Sequence, residues 1–178
     1  SFVYYSHGNK IITEPGFLNF SNSLERQFTI SFQAHNSILP TKFLDNFNLN
    51  IKCLFKSYAT DDNYYYSELV GEIEHSQVKR EFFMSSNYLI IIDSISTSAE
   101  QDWLRIFNLS DDVDEVSIIS ENTIKVIMKD DEIFYFTSYM NPLEKINGQH
   151  SPRIGWLAIP QIKLDPSNAI IQKNKRNN

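Results

Sequence analysis

The sequence predicts an all-β protein, built as a large antiparallel two-sheet β-sandwich. Three observations support this prediction: more than ten short runs have strand composition or alternate in hydrophobicity, turn signals separate them, and convincing helical periodicity is missing. Without helices to cover parallel crossovers, so many strands are expected to pair antiparallel and to pack face to face. No repeat of fixed length is visible, which argues against a propeller or a β-helix.

The strands are expected in a simple order along the chain. Val3–His7 should turn at Gly8-Asn9 into Ile11-Ile12 as a hairpin. Further strands are predicted at 27–34, 48–58, 69–75, 78–84, 88–95, 103–109, 116–119, 123–128, 133–138 and 154–159, and the three at 116–138 should form a meander. The run at 88–95, YLIIIDSI, is the most continuous apolar one, so it is predicted to be a central strand buried on both faces.

Composition sets the class of protein and its organisation. With 178 residues, 42% of them hydrophobic, and a net charge of -6, the chain is expected to form one ordered domain. The sandwich is assigned to residues 1–167, and the polar, basic tail 168–178 is expected to fray. Since strand composition begins at residue 1, we expect this chain to be the C-terminal piece of a longer protein.

Several classes of function are disfavoured. An acidic chain does not suggest nucleic acid as a partner, and no apolar run reaches the roughly 18 residues of a membrane span. The single cysteine, Cys53, lies at an apolar phase of the 48–58 run and is predicted to be a buried hydrophobe. The acidic pairs 61–62, 111–112 and 130–131 lie in turns, so they are expected to be solvated loop carboxylates rather than catalytic acid–base pairs. No nucleophile elbow and no phosphate-binding loop occurs.

One pair of residues has the chemistry of a metal site. Glu14 lies in the turn Glu14-Pro15-Gly16, and His35 lies at the end of the strand predicted over 27–34. Carboxylate and imidazole are both zinc ligands. This spacing alone fits equally a corner of the sandwich with a purely structural role, and that alternative stays open. The other histidines, His7, His75 and His150, form no pair at metal-binding spacing with it or with each other.

Five stretches of the chain follow one another in an informative order: SFVYYSHGNKIITEPGF, RQFTISFQAHNSILP, HSQVKREFFMSSNYLIIIDSI, DWLRIFNLSDD and SPRIGWLAIP. Together they resemble the C-terminal β-sandwich of the heparinase II/III-like polysaccharide lyases over most of residues 1–165. In that family an H-x-H-x-D segment precedes a strand, a glycine turn, a strand ending in an Asp-Pro-Gly-like turn, and a strand closing on Ala-His-Asn. Ala34-His35-Asn36 and the IIIDSI run are the more specific matches.

The resemblance implies a fold, a reaction and a site. The family places an α/α toroid ahead of the sandwich and cleaves uronic-acid-containing polysaccharides by β-elimination, with its catalytic residues in the toroid and in H-x-H-x-D. By this resemblance the chain lacks the toroid, binds an acidic polysaccharide, is inactive alone, and is a bacterial, periplasmic or secreted protein. Glu14 and His35 match two ligands of the family's zinc, whose third ligand would lie upstream of Ser1. Arg26 and Asn36 are expected to bind substrate.

Two positions depart from the family pattern, and two alternatives stay open. Glu14 replaces the usual aspartate and is one methylene longer, and Asn108 stands where many members have histidine. The first alternative is a non-catalytic carbohydrate-binding or surface-polysaccharide assembly module on the same fold. The second is an enzyme relative that acts in capsule or lipopolysaccharide biosynthesis. The sequence upstream of Ser1 would distinguish them, because only a lyase needs the H-x-H-x-D segment and a toroid.

Overall fold

A computed structural model describes residues 1–46, 52–61, 63–160 and 162–174. It is 57% strand and 7% helix, with the strands in several antiparallel sheets, so the all-β prediction is confirmed. The helical part consists of α1 (Leu24–Thr29) and two 3-10 turns at Phe32–Ala34 and Thr41–Phe43. No helix among the described residues has the length and apolar composition needed to cross a bilayer.

The strands are numbered along the chain. The first part forms β1 (Tyr4–Ser6), β2 (Asn9–Ile12) and β3 (Ile38–Pro40). The middle part forms β4 (Lys52–Thr60), β5 (Tyr65–Ile73), β6 (Ser76–Met84) and β7 (Leu89–Thr97). The last part forms β8 (Trp103–Asn108), β9 (Val113–Ser120), β10 (Thr123–Met128), β11 (Ile133–Thr137), β12 (Leu143–Asn147), β13 (Gln149–His150), β14 (Arg153–Ile154), β15 (Trp156–Ile159), β16 (Lys163–Pro166) and β17 (Asn168–Asn174).

The chain divides into two compact units. The first unit contains Ser1–Leu49 and Gln101–Asn178, and the second contains Asn50–Glu100. In the first unit, the largest sheet has the strand order β12-β17-β8-β3, and β9, β10 and β11 form a separate three-stranded meander. The predicted meander is therefore confirmed. The predicted hairpin is also confirmed, since β1 pairs antiparallel with β2 around a turn at His7-Gly8.

The tail of the chain contributes a central strand to the first unit. β17 lies between β12 and β8, and its neighbouring residues Ile170 and Ile171 are 0% and 1% exposed. Because adjacent strand residues point to opposite faces, this strand is covered on both sides. The expectation that residues 168–174 fray is therefore wrong, while 175–178 lie outside the described residues.

The segment predicted as a strand at 27–34 is helical instead. The Ser23 side chain caps α1 by accepting a hydrogen bond from the backbone N–H of Arg26, at 3.2 Å. Phe28 and Thr29 are both buried, which a strand packed on one face would not allow. A local cap and a two-sided environment thus override the alternation of Phe28, Ile30 and Phe32.

The second unit is a single sheet with the strand order β4-β5-β6-β7. The predicted central strand at 88–95 is wrong, because β7 is an edge strand in which Ile90 and Ile92 are 48% and 45% exposed. Cys53 lies on the opposite edge strand and is exposed, so its predicted burial is also wrong. Residues 48–51 of the strand predicted at 48–58 lie outside the described residues.

Candidate functional site

The structure brings Glu14 and His35 into direct contact. His35 Nδ1 and Glu14 Oε2 form a hydrogen bond between side chains that are 29% and 24% exposed. Two loops of the first unit therefore meet at this pair, although 20 residues separate them in the sequence. The resemblance matched these residues to two ligands of one zinc, which requires their side chains to lie close together, and they do.

Backbone hydrogen bonds position each loop. On the Glu14 side, the Thr13 backbone N–H donates to the Asn108 carbonyl at 2.9 Å, and the Ala158 N–H donates to the Pro15 carbonyl at 2.7 Å. On the His35 side, the His35 N–H donates to the Phe32 carbonyl at 3.3 Å and closes the 3-10 turn. Strands β8 and β15 thus hold the Glu14 turn, while a tight turn presents the imidazole.

Asn36 links these loops from below the surface. Its Nδ2 lies 2.7 Å from the Phe2 carbonyl oxygen, 2.7 Å from that of Thr13 and 2.8 Å from Glu14 Oε1, while its Oδ1 accepts from the Asn108 backbone N–H at 2.7 Å. Asn36 is 0% exposed. Sequence reasoning expected it to bind substrate. The structure instead buries it and directs its amide to protein atoms, so it positions Glu14 and has no surface to offer a ligand.

Asn108 fixes the histidine loop in the same network. It is 2% exposed, and its Nδ2 donates to the Ala34 carbonyl at 2.9 Å. This is the position at which the chain departs from the histidine of the resembled family. Here the residue joins β8 to the Ala34–Asn36 segment and has a structural role.

The electrostatics of the pair favour an ionised Glu14. Partial burial acts to raise the pKa of the Glu14 carboxyl, but the hydrogen bond from His35, the charge of His35 and the backbone N–H of Asn36 together lower it below its ordinary value. At neutral pH the carboxylate is therefore an acceptor that orients the imidazole through its Nδ1.

As a metal site, the Glu14–His35 pair supplies two ligands. Protein zinc sites use three or four side-chain ligands, and no group of three or more His, Cys, Asp or Glu residues with metal-binding geometry occurs in the described part of the chain. Glu14 and His35 have suitable donor atoms, but here they bond to each other. The residues of this chain fit two ligand positions and would need a further ligand from elsewhere.

Arg26 lies on α1 beside an aromatic pair. Its guanidinium carbon is 4.7 Å from the centre of the Phe17 ring, and its Nη1 is 3.3 Å from Thr29 Oγ1. The Phe17 ring packs edge-on against Phe20 at 4.8 Å between centroids, and Phe20 is 94% exposed. Phe17 follows Glu14 by three residues. One short segment therefore connects the Glu14–His35 pair to a cationic and aromatic surface.

Arg153 is a second cation next to α1, and sequence reasoning missed it. Its guanidinium carbon lies 5.8 Å from the Phe28 ring centre. The pKa of Glu25 is lowered, chiefly by its own backbone N–H and the Ser23 hydroxyl, with the charge of Arg153 adding to the effect. Asp45 accepts from the Arg153 backbone N–H at 3.2 Å. Nothing local in the sequence links Arg153 to α1, because tertiary packing creates this proximity.

Comparison of the chain with protein-family models, with curated proteins and with solved structures gives no match.

Proposed function

We propose that this chain is the β-sandwich part of a polysaccharide lyase of the heparinase II/III-like type, which acts on uronic-acid-containing polysaccharide. The observation that carries the proposal is the Glu14–His35 contact. The motif resemblance matched these two residues as partners across 20 intervening residues, and their side chains meet in the structure. The two-sheet sandwich and the absent α/α toroid belong to the same proposal.

The proposed reaction is β-elimination. A base removes the C5 proton of the uronate, the C4–O bond breaks, the leaving oxygen gains a proton, and a C4–C5 double bond remains. The groups for these proton transfers are expected upstream of Ser1, so this chain should release no unsaturated uronate by itself. Its own part is to hold the sugar chain next to the catalytic domain.

The surface around α1 suits an acidic sugar. The guanidinium of Arg26 can pair with a uronate carboxylate in a bidentate, charge-assisted way, and Arg153 supplies a second charge next to the same helix. The exposed faces of Phe17 and Phe20 can pack on the C–H faces of sugar rings. In the intact protein, Glu14 and His35 would hold a structural zinc together with a histidine of the upstream segment, and the ion would tie the two domains together.

A second candidate, a non-catalytic carbohydrate-binding or polysaccharide-assembly module, is favoured by one observation. Phe20 is 94% exposed and Arg26 lies over the Phe17 ring, so these groups can contact a sugar without the help of another domain. A biosynthetic enzyme of surface polysaccharide would use the same surface. For each of these functions we propose a periplasmic or secreted location.

The test is a binding titration with the 178-residue chain. Oligosaccharides of a uronic acid are titrated by calorimetry into the wild-type chain, Arg26→Ala and Phe20→Ala. Lys129→Ala is the matched control, because Lys129 is an exposed cation at the β10–β11 turn. Losing a charge-assisted hydrogen bond costs about 1.5–3 kcal/mol, so Arg26→Ala should weaken binding at least about tenfold. Lys129→Ala should leave the affinity unchanged.

Two results would contradict the proposal. In the first, a neutral oligosaccharide binds as tightly as the uronate. In the second, Arg26→Ala and Lys129→Ala lower the affinity equally. Release of unsaturated uronate by this chain alone, followed by its ultraviolet absorbance, would show that the catalytic groups lie within residues 1–178.

A further inference from the structure

Strand β7 is a nine-residue strand at the edge of its sheet, as far as the described residues show. It pairs with β6 over all nine residues, with no register shift. Among the described residues, no strand pairs with its other side. The backbone N–H and C=O groups that point away from β6 therefore form a row that another strand can extend.

The sequence of β7 has few of the features that usually protect such an edge, and its one inward-pointing charge is paired within the sheet. Natural edge strands carry lysine, proline, a bulge or a short length to prevent pairing with other chains. β7 reads LIIIDSIST, in which five of nine residues are Leu or Ile, without Lys, Arg, Glu or Pro. Its one charged residue, Asp93, is paired with Arg80 through contacts of 2.6 and 2.9 Å, and the Asp93 side chain is 1% exposed.

An apolar row leads across the sheet to this edge. Ile90 pairs with Phe83, which pairs with Tyr66, and the rings of Phe83 and Tyr66 are 4.8 Å apart. Ile90 is 48% exposed, and Ile92, on the same face, is 45% exposed. Adding a strand at β7 would cover these two isoleucines and continue the row.

The opposite edge of the same sheet is protected. β4 carries Lys52 and Lys56, and its pairing with β5 is interrupted by a register shift between Phe55 and Ser57. Lysines and bulges are the devices that keep edge strands from pairing. The two edges therefore differ, and pairing is expected at β7 alone.

We propose that β7 is a dimerisation edge, at which a second copy of this chain adds its own β7 in antiparallel orientation. Two four-stranded sheets would then form one eight-stranded sheet around a two-fold axis. Self-pairing fits the charge pattern, because the only charge on the strand is already neutralised by Arg80. It also fits the apolar pattern, because a two-fold axis at Ile92 would bring the two Ile92 side chains together and place Ile90 of each copy opposite Ser94 of the other. This proposal is independent of the proposed function.

Sedimentation velocity over about 10 μM to about 1 mM tests the proposal on the whole chain. The wild-type chain, 20.8 kDa as a monomer, should sediment at twice this mass as concentration rises. Ile92→Lys and Ser94→Lys place lysines on β7, and each should raise the dimer Kd at least about tenfold. Leu54→Lys is the matched control, since Leu54 is a 72% exposed residue on the β4 edge, and it should leave the Kd unchanged.

Ser94→Lys replaces an exposed polar residue, so it should fold normally, and a loss of dimer in this variant reports on the interface. Far-UV circular dichroism checks the fold of each variant. Hydrogen exchange locates the interface: amides of residues 89–97 should exchange more slowly at the higher concentration, and amides of 52–60 should not. The proposal is overturned if the wild-type chain stays monomeric, which would leave the edge to a different segment or protein. It is also overturned if Leu54→Lys dissociates the dimer as well as the β7 variants do.

Discussion

Replacing Asn36 tests whether the buried amide network builds the Glu14–His35 pair. In Asn36→Ala the carbonyls of Phe2 and Thr13 and the N–H of Asn108 lose their side-chain partner. A buried polar group left without its partner costs about 1–3 kcal/mol. Allowing for partial relaxation, the three groups predict a loss of about 3–5 kcal/mol in the free energy of unfolding.

Urea unfolding followed by tryptophan fluorescence reports on the first structural unit, because both tryptophans, Trp103 and Trp156, belong to it. With a typical m-value of about 2 kcal/mol/M, the midpoint should fall by about 1.5–2.5 M urea. Asn122→Ala removes an exposed amide and should change stability by less than about 0.5 kcal/mol.

The isosteric Asn36→Asp sharpens the test. It keeps the oxygen that accepts from Asn108 but loses the donor to Phe2 and Thr13, and it places a second carboxylate next to Glu14. At neutral pH it should destabilise the first unit at least as much as alanine does. The reasoning is refuted if Asn36→Ala is no more destabilising than Asn122→Ala, or if Asn36→Asp retains wild-type stability.

Two further predictions concern pH and backbone geometry. Desolvation, together with the carboxylates of Glu81 and Glu68, each 3.1 Å away, raises the pKa of Tyr66 to about 12. Because the folded protein holds this proton more tightly, the free energy of unfolding should fall as pH rises from about 10 to about 12. Urea unfolding followed by circular dichroism should show a shallower fall for Tyr66→Phe. Equal pH dependence of the two unfolding free energies would contradict this. Gly155 has φ 75, and an added Cβ would lie 2.8 Å from a carbonyl oxygen, whereas Gly8, at φ 84, has no atom within 4 Å of that position. Both alanine variants should lose about 1–2 kcal/mol of unfolding free energy to backbone strain. Gly155→Ala should lose more than Gly8→Ala when unfolding is followed by fluorescence. Equal losses would be inconsistent with the packing described.

Features set by local sequence were predictable. The β1–β2 hairpin and the β9–β11 meander follow from turn residues between short apolar runs, and their partners are neighbours in the chain. The Glu14–His35 contact was predictable only through the motif resemblance, because spacing alone does not bring distant loops together.

Features set by long-range pairing were not predictable. β17 has polar ends, and its central position depends on β8 and β12, which lie far away in the sequence. β7 shows the reverse case, since an apolar run does not reveal whether its second side meets another strand. Asn36 was expected to bind substrate from the motif resemblance, which carries no information on burial, whereas burial of the amide arises from packing against Phe2 and Asn108.

The most direct test of the central claim observes the His35 imidazole during addition of a uronic-acid oligosaccharide. Its side-chain NMR signals are assigned with His35→Gln, and His7 and His75 provide reference signals from the same sample. We predict that the His35 signals shift saturably with the oligosaccharide while those of His7 and His75 stay in place. Saturable binding that leaves His35 unchanged, or no binding at all, would contradict the placement of a sugar-binding surface next to the Glu14–His35 pair.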